Sequence, residues 1–459
     1  MPRIISGQGR GWIEDVYRWH QHLGNISDPT DQACKHGFIY NGSDLDPSWH
    51  NLQDVEILTF HSWDASWHRV ASVTASNSTV MFTSNTSTYC VGSQAPEGGR
   101  RYIVENVREG LDEPGEWYYD RTSGLLSYYP LAEESADTVT AWVPMVTTLL
   151  QVSGAQHVRL EGVLWQHGAI FFDRFRPNSA GSLLSLSECQ HATVHNCVIQ
   201  HTGMAGLTIG TNSSEVEVSN TVVQDTGGDG IGTSSTSSNV HLHHNLVNST
   251  GHITLWQPAG AWTFGLVRIL PTTPNACLHA GIRARGHSVL VEYNDVGFCP
   301  YGGILVGWQL GTATPARGQP VDPSLVVQYN RVHDFGLGIL SDFGGIYLSS
   351  ADNTCFNAST CYLPTLIFNN IVMHGRHYDY GSQGIYMDEQ VGRKWEGTEE
   401  WEVLLLQHVG KQVSGQNISH NMIYDIGDAG VFWHCGRNHY TTNNMLLLTG
   451  RQSPSAIRR

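Results

Sequence analysis

Acidic residues mark two copies of one repeated phrase in the second half of the chain. The first copy, SDFGGIYLS, contains Asp342, and the second, GIYMDE, ends in Asp388 and Glu389. The other copies of the phrase have no acid at these positions. Two carboxylates several ångströms apart suit cleavage of a glycosidic bond, because one protonates the leaving oxygen while the other acts as nucleophile or activates water. We therefore take Asp342, Asp388 and Glu389 as the candidate catalytic residues.

A structural explanation of the same acids remains open at this point. Aspartate is favoured in turns, and the pair Asp388-Glu389 could simply end a strand. The spacing still supports catalysis: Asp342 precedes Gly345 by three residues, at the corner that leads into the Gly-led strand, and Asp388 ends the equivalent strand one repeat later. One repeat of separation brings the two side chains within several ångströms if successive repeats stack.

The repeat itself begins near Leu149 and is the main indication of the fold. Its Asn positions recur at intervals of 23 to 25 residues where no insertion intervenes, and each Asn is followed by a short strand that begins with Gly. This period, with short β runs, predicts an all-β protein whose main domain is a right-handed parallel β-helix with a pectin-lyase-like fold. We expect the Asn side chains to form a hydrogen-bonded ladder at a bend: Asn196, Asn220, Asn245, Asn294, Asn330, Asn370, Asn421 and Asn444.

Alternation along the Gly-led strands separates an inward face from an outward face. The residue after each Gly is apolar in every copy and should point into the helix: Leu207, Ile231, Ile282, Ile304, Ile346, Ile385 and Val431. The outward positions include aromatic, charged and imidazole side chains, which suit a sugar-binding groove because aromatic faces stack on sugar rings while charged groups bind hydroxyls. The candidate substrate-binding residues are Tyr347, Tyr386, Arg283, Arg285, Trp308 and His434. A solvated sheet face that happens to be aromatic is the competing interpretation.

The first part of the chain has a different character and predicts a separate domain. Residues 1–147 are irregular and aromatic-rich, with short strands expected at 55–60, 67–73, 79–82 and 141–147. A hairpin is expected around residues 116–130, where EWYYD and LLSYYP flank the turn RTSG. We assign residues 1–147 to an N-terminal β-rich domain, incomplete at its start and packed on one end of the solenoid, and residues 148–459 to the β-helix.

Composition narrows the partners and the compartment. A net charge of -16 argues against nucleic acid and anionic membrane as partners, and no apolar run reaches the length of a membrane span. Eight Asn-x-Ser/Thr sequons and the loop CFNASTC between Cys355 and Cys361, which we expect to be disulfide-closed, favour a secreted glycoprotein. Residues 1–25 contain no signal peptide, so we expect the natural chain to extend further. Residues 256–277 and 391–412 fit the repeat poorly.

No motif requires a cofactor or a metal ion. His241 and His243 could share one strand face, but no third ligand accompanies them, so a surface strand is favoured over zinc binding. The glycine-rich GGDGIG at 227–232 recurs with the repeat and opens no helix, so we interpret it as a turn rather than a phosphate loop.

The ordered motifs also resemble a known family. LDEPGEWYYDRTSGLLSYYP, then SDFGGIY, then GIYMDE resembles the right-handed β-helix proteins of glycoside hydrolase family 141, over about residues 50–445. The resemblance implies a hydrolase of cell-wall polysaccharide with fucosidase or xylanase activity, and it places the catalytic acids on Asp342 and Asp388. Glu389 stands where relatives often have a second Asp. The two poorly fitting segments depart from the family pattern, and the second begins directly after the acidic pair.

Two other functions remain open from the sequence. A polysaccharide lyase acting on uronate polymers would use Arg283 or Arg285 as its base together with bound calcium, although too few acids cluster in one place for a convincing calcium site. A non-catalytic glycan-binding protein would follow if the inserted segments closed the groove. In each case we expect a monomer whose partner is a polysaccharide or oligosaccharide.

Overall fold

The computed structural model describes fourteen segments of the chain, and every structural statement below concerns these residues. They are 11–12, 36–40, 42–60, 63, 65–83, 101–169, 181–251, 279–307, 325–349, 365–378, 380–388, 417–434, 440–447 and 457–458. They belong to two compact units, and the chain passes from the first to the second between Val143 and Pro144. Cys355, Cys361, Trp308, Glu389 and the segments 256–277 and 391–412 lie outside the described residues.

The first unit is built on an antiparallel sheet in the order β1-β6-β3-β4-β5-β2. Its core contains Phe38, Ile57, Val70, Val80 and Tyr102, all fully buried. Short 3-10 turns occur at Leu52–Asp54, Ala75–Asn77 and Arg108–Gly110. The strands are β1 (Gly11–Trp12), β2 (Gly37–Ile39), β3 (Glu56–Phe60), β4 (Ala65–Thr74), β5 (Thr79–Phe82) and β6 (Arg101–Glu105), followed by the hairpin β7 (Trp117–Asp120) and β8 (Leu125–Tyr128).

Most sequence-based expectations for this unit are confirmed. Strands occur at three of the four expected places, and β7 pairs with β8 in antiparallel register. Gly124 ends the hairpin turn with φ 71°, the left-handed conformation that the turn requires. The strand expected at 141–147 is wrong: this segment has no strand pairing, and the apolar side chains that suggested it, among them Trp142 and Met145, are largely exposed.

The second unit is a parallel β-helix of three sheets, which confirms the predicted fold. Sheet A contains β9 (Leu150–Ser153), β12 (Ser182–Ser187), β15 (Ala205–Ile209), β18 (Ile231–Thr233), β21 (Ala280–Ala284), β24 (Gly302–Val306), β27 (Phe343–Ser349), β30 (Ser382–Asp388), β33 (Val431–Trp433) and β36 (Ile457–Arg458). Sheet B contains β10 (Arg159–Glu161), β13 (Gln190–His195), β16 (Ser214–Ser219), β19 (Ser238–His243), β22 (His287–Glu292), β25 (Leu325–Gln328), β28 (Leu366–Phe368), β31 (Asn417–Ser419) and β34 (Tyr440–Thr442). Sheet C contains β11 (Leu164–Gly168), β14 (Val198–Thr202), β17 (Val222–Thr226), β20 (Leu246–Thr250), β23 (Asp295–Cys299), β26 (Arg331–Phe335), β29 (Ile371–Gly375), β32 (Met422–Ile426) and β35 (Met445–Leu447).

The inward column of sheet A forms as expected. Every third strand along the chain joins the same sheet, so equivalent residues of successive coils pair in register from Leu207 to Val431. The seven residues of the predicted inward column are all fully buried. The period-2 alternation of a strand therefore sends the intervening residues to the outer face.

The Asn ladder is confirmed for six of the eight predicted positions. In each coil from Asn245 to Asn421, the main-chain and side-chain N–H groups donate to the Oδ1 of the Asn in the next coil, at 2.9–3.1 Å. Asn196 and Asn220 are the exceptions, because each lies one residue before the ladder position of its coil, at a corner where φ is near 50°. Cys197 and Thr221 take the ladder position in these coils, and the Thr221 N–H donates to Asn245 Oδ1 at 3.0 Å.

Removal of one rung of the ladder should destabilise the β-helix. Asn370→Ala removes the acceptor of the buried Asn330 main-chain N–H, one of three acceptors of the Asn330 side-chain amide, and the side-chain donor to the Val327 carbonyl oxygen. We therefore expect a loss of about 1–3 kcal/mol of unfolding free energy. Denaturant unfolding measures the loss. Asn239→Gly is the matched control, because Asn239 is exposed at φ 52°, a conformation that glycine adopts freely. Equal stability of the two variants would contradict a stabilising role of the Asn ladder.

Glu105 gives the first unit a defined pH dependence. Burial and, to a smaller extent, the negative charge of Glu56, its neighbour across β3 and β6, together raise the pKa of Glu105 to about 8. Between about pH 4.5 and 8, the Glu105 carboxyl group is therefore protonated in the folded state and ionised in the unfolded chain, where its pKa is 4.5. The preferential binding of this proton stabilises the folded state fully below pH 4.5, and the stabilisation is lost as the pH rises to about 8. We expect Glu105→Gln to unfold at a higher temperature than the wild type at pH 8 and at nearly the same temperature at pH 4, as calorimetry would show.

Candidate active site

Neighbouring strands of sheet A bring the two predicted acids together. β27 and β30 pair so that Tyr347 lies beside Tyr386 and Ser349 lies beside Asp388. Strands in a sheet are about 4.8 Å apart, and the two tyrosine rings stack at the equivalent distance, with centroids 4.5 Å apart and planes 12° apart. Both hydroxyl groups consequently reach the same region of the outer face.

Hydrogen bonds cross between the two coils at this point. The Tyr347 hydroxyl, on the earlier coil, donates to Asp388 Oδ2 on the later coil at 2.5 Å. The Tyr386 hydroxyl, on the later coil, donates to Asp342 Oδ1 on the earlier coil at 3.1 Å. Each carboxylate is therefore held by a tyrosine of the other coil, and the stacked pair fixes their mutual position.

The backbone around Asp342 is tightly constrained. Asp342 has φ 62°, a left-handed conformation that Asp adopts more easily than most residues. Its N–H donates to the Tyr380 carbonyl at 3.1 Å, and its own carbonyl accepts from the Tyr301 hydroxyl at 2.7 Å. Gly381 of the next coil lies directly against it, since a Cβ there would be 3.0 Å from the Asp342 Cα. The corner thus orients the Asp342 carboxylate through its backbone.

Asp388 accepts a second donor from the following coil. His434 Nδ1 lies 2.7 Å from Asp388 Oδ1, while Tyr347 occupies Oδ2. The two donors thus fix the orientation of the Asp388 carboxylate. His434 follows β33, and its ring stacks on Phe432 at 6.0 Å. Phe432 in turn contacts the ring of Tyr386 at 5.1 Å.

The tyrosines stay protonated throughout the physiological range. Burial raises the pKa of Tyr347 well above 10.0, and the neighbouring Tyr301 and the carboxylates Asp388 and Asp342 raise it further. Burial likewise raises the pKa of Tyr386, followed by the charges of Asp342 and Asp388. Both hydroxyls are therefore fixed donors. The charges of both carboxylates act on each tyrosine, as expected for acids that share one site.

The tyrosines do not form the open stacking platform expected from the sequence. Both occupy the predicted outward column, but each is only 2% exposed. The reason is the register: residues at equivalent positions of adjacent strands lie ring against ring, so their faces cover each other. Their role in the structure is to hold the carboxylates, and the more exposed group of the site is His434, whose side chain is 44% exposed.

Arg283 is also engaged differently from the expectation. It lies in the outward column of β21 and donates to both oxygens of Asp229, from Nε at 2.6 Å and from Nη2 at 3.0 Å. The pair is largely buried, and β24 separates it from β27. Arg285, just after β21, is half-buried, and its main-chain N–H donates to Thr233 Oγ1. Trp308 and Glu389, the remaining predicted site residues, lie outside the described segments.

Sequence reasoning missed three participants, namely Asp229, His279 and Tyr301. Burial acts to raise the pKa of Asp229, but the charge of Arg283 and hydrogen bonds from His279 and Arg283 outweigh it and hold the pKa well below 3.8. Alignment of the coils could have found Asp229, because it lies in the corner just before β18, the strand that pairs with β21 and so lies beside Arg283. Nothing in the sequence indicates that the Tyr301 hydroxyl reaches the Asp342 carbonyl.

The described residues contain no group of three or more His, Cys, Asp or Glu side chains arranged to hold a metal ion. His241 and His243 lie on the outer face of β19, with Nε2 atoms directed to different carboxylates, Glu292 at 3.0 Å and Glu217 at 3.3 Å. Among these segments, no helix has the length and apolarity needed to cross a bilayer.

Comparisons with known proteins agree with the architecture. Residues 158–265 match the family model of a right handed beta helix region. A solved structure named as a glycoside hydrolase is similar over 99% of this chain and 76% of its own, with a TM-score of 0.62 and 14% identity. The A-module of Azotobacter vinelandii mannuronan C-5 epimerase AlgE6 is similar over 67% of this chain and 59% of its own, with a TM-score of 0.36 and 13% identity. An alginate lyase from Paenibacillus is similar over 68% of this chain and 99% of its own, with a TM-score of 0.33 and 10% identity. No curated protein matches the sequence. The chain is a right-handed parallel β-helix, similar in fold to a glycoside hydrolase.

A side chain at Gly381 should disturb the site more than the same change nearby. Gly381→Ala places a Cβ against the Asp342 backbone, whereas Gly338→Ala, at nearly the same φ (68° against 73°), meets nothing within 4 Å. Both variants carry the left-handed cost of about 1–2 kcal/mol. We expect Gly381→Ala to melt at a lower temperature than Gly338→Ala, as calorimetry would show. Indistinguishable variants would contradict close contact between these corners.

Proposed function

We propose that the protein is a glycoside hydrolase that cleaves cell-wall or other complex polysaccharide with Asp342 and Asp388. The observation that carries the proposal is the shared tyrosine pair: two carboxylates from adjacent coils, each held by the stacked tyrosine of the other coil. A turn or strand end requires no such crossed arrangement. The fold similarity to a glycoside hydrolase supports the proposal.

The surroundings of the two acids suggest different roles. Asp388 accepts hydrogen bonds on both oxygens, from Tyr347 and from His434, and this arrangement suits the group that stabilises positive charge at the anomeric carbon and promotes attack on it. Asp342 is then the acid that protonates the leaving oxygen. The tyrosines cannot exchange roles with the acids, because their raised pKa values keep them protonated.

The substrate class follows from the resemblance of the motifs SDFGGIY and GIYMDE to glycoside hydrolase family 141. We propose fucosidase-like or xylanase-like activity on neutral sugars of plant-type cell walls. Secretion of the protein belongs to the same proposal, because polymeric substrates of this kind lie outside the cell.

A uronate-polymer lyase is the second candidate, favoured by the presence of arginine on the outer face of sheet A. The bidentate ion pair with Asp229 stabilises the charged form of Arg283, which opposes its use as a base. The hydrolase therefore has the better support.

The decisive test compares the wild type with Asp342→Asn and Asp388→Asn on fucosylated pectin fragments and on xylan. We expect each variant to lose at least roughly 10³-fold in kcat while its melting temperature changes little, because the amide cannot transfer a proton or carry the charge. Asp225→Asn is the matched control, since Asp225 is exposed on sheet C, where it pairs with His201. Reducing-end release measures the rate.

Two outcomes would contradict the hydrolase. Full activity in both Asn variants would remove the acids from the chemistry. Unsaturated uronate products, detected by their ultraviolet absorbance, would favour the lyase, most clearly if Arg283→Lys abolished them while both Asp variants remained active.

A further inference from the structure

His434 is an ionisable group that is both half exposed and hydrogen-bonded to a candidate catalytic carboxylate. Its side chain is 44% exposed, whereas that of Asp388 is 17% exposed. Its Nδ1 lies 2.7 Å from Asp388 Oδ1. A substrate approaching the outer face of sheet A therefore meets the imidazole more readily than the carboxylate behind it.

The hydrogen bond to Asp388 fixes which nitrogen of His434 carries the proton. A carboxylate accepts and cannot donate, so Nδ1 is the N–H donor and Nε2 carries the lone pair of the neutral ring. The Phe432 ring lies nearly parallel to the imidazole, at an angle of 10° and with ring centroids 6.0 Å apart. Asp388 is itself immobilised, because its other oxygen accepts from Tyr347 at 2.5 Å.

We infer that His434 is the proton-transfer base of the site and that Asp388 acts through it, as the carboxylate that orients the ring and stabilises the imidazolium. This inference rests on the proposed hydrolase function. It is favoured over direct base catalysis by Asp388 because both oxygens of Asp388 already accept short hydrogen bonds from Tyr347 and His434.

The proposed hydrolysis of the glycosidic bond involves two proton transfers. A water molecule gives one proton to His434 Nε2 while its oxygen bonds to the anomeric carbon. The glycosidic C–O bond breaks, and the leaving oxygen takes the proton of Asp342. The site is left with an imidazolium paired to Asp388 and with Asp342 ionised. Exchange of one proton from the imidazolium to solvent and one from solvent to Asp342 restores the starting state. Because water attacks directly, the anomeric configuration inverts.

The geometry also makes the inference testable through pH. Asp388 from β30 is a charged group that faces the ring, and the uncharged Phe432 is another of its contacts. Only the neutral imidazole can accept the proton, so the rate must fall at acidic pH once His434 is protonated.

The central variant is His434→Asn, whose side-chain amide can still donate to Asp388 but has no titrating nitrogen. We expect kcat to fall about 10²- to 10⁴-fold with little change in KM, and the acidic limb of the pH profile to lose its imidazole component. His434→Ala should behave likewise and regain activity when free imidazole is added. His241→Asn on sheet B, also paired with a glutamate, is the matched control and should behave as the wild type.

If these variants fold poorly, the stereochemistry of the product formed by the wild-type protein still tests the role of His434. Proton NMR of the first product should show the inverted anomer, and retention would overturn the inference. Wild-type kcat and pH profile in His434→Asn would also overturn it, while loss of activity in Asp342→Asn and Asp388→Asn would leave the hydrolase proposal standing. Full activity in those two Asp variants would instead defeat the hydrolase proposal itself.

Discussion

The register between successive coils is the constraint on which the rest of this β-helix depends. Each strand pairs with its equivalent one coil away, so a side chain meets the side chain at the same position of the next coil. Identical or complementary residues then form continuous columns: asparagines in the bend, aliphatic residues inside, aromatic rings outside. A shift of one residue would send every inward side chain to the outer face, so the buried aliphatic columns strongly favour a single register.

The candidate site is a consequence of that same stacking. Two tyrosines at one outward position are forced ring against ring, and their hydroxyls become buried. A buried hydroxyl without a partner costs about 1–3 kcal/mol, and the two carboxylates supply the missing acceptors. The crossed arrangement thus satisfies the tyrosines and orients the acids at once. Stability and the geometry needed for chemistry are served here by the same hydrogen bonds.

The outer faces of the three sheets show how one scaffold carries different surfaces. Sheet B presents imidazole–carboxylate pairs such as His241 with Glu292, and sheet C presents His333 between Asp295 and Asp334. These charges are paired along or across strands, as expected of a solvated sheet. In sheet A, Asp388 also has an imidazole partner, His434, but both carboxyl groups of the site additionally accept hydrogen bonds from buried tyrosine hydroxyls of the neighbouring coil. These hydroxyl donors distinguish the candidate site from the pairs on sheets B and C that are named above.

Much of this architecture follows from the sequence by itself, because period and alternation are local properties. The spacing of the Asn residues and the apolar column after each Gly sufficed to predict the coils, and the uniqueness of Asp342 and Asp388 among the copies of the phrase sufficed to select them. The sequence did not reveal that Asn196 and Asn220 fall one residue short of the ladder, since only strand pairing defines equivalent positions. It also did not indicate that Tyr347, Tyr386 and Arg283, which were expected to face a substrate, are buried. Their hydrogen-bond partners lie in other coils, 41 to 54 residues away along the chain. Such contacts exist only once the coils are stacked, and so the tertiary structure alone decided them.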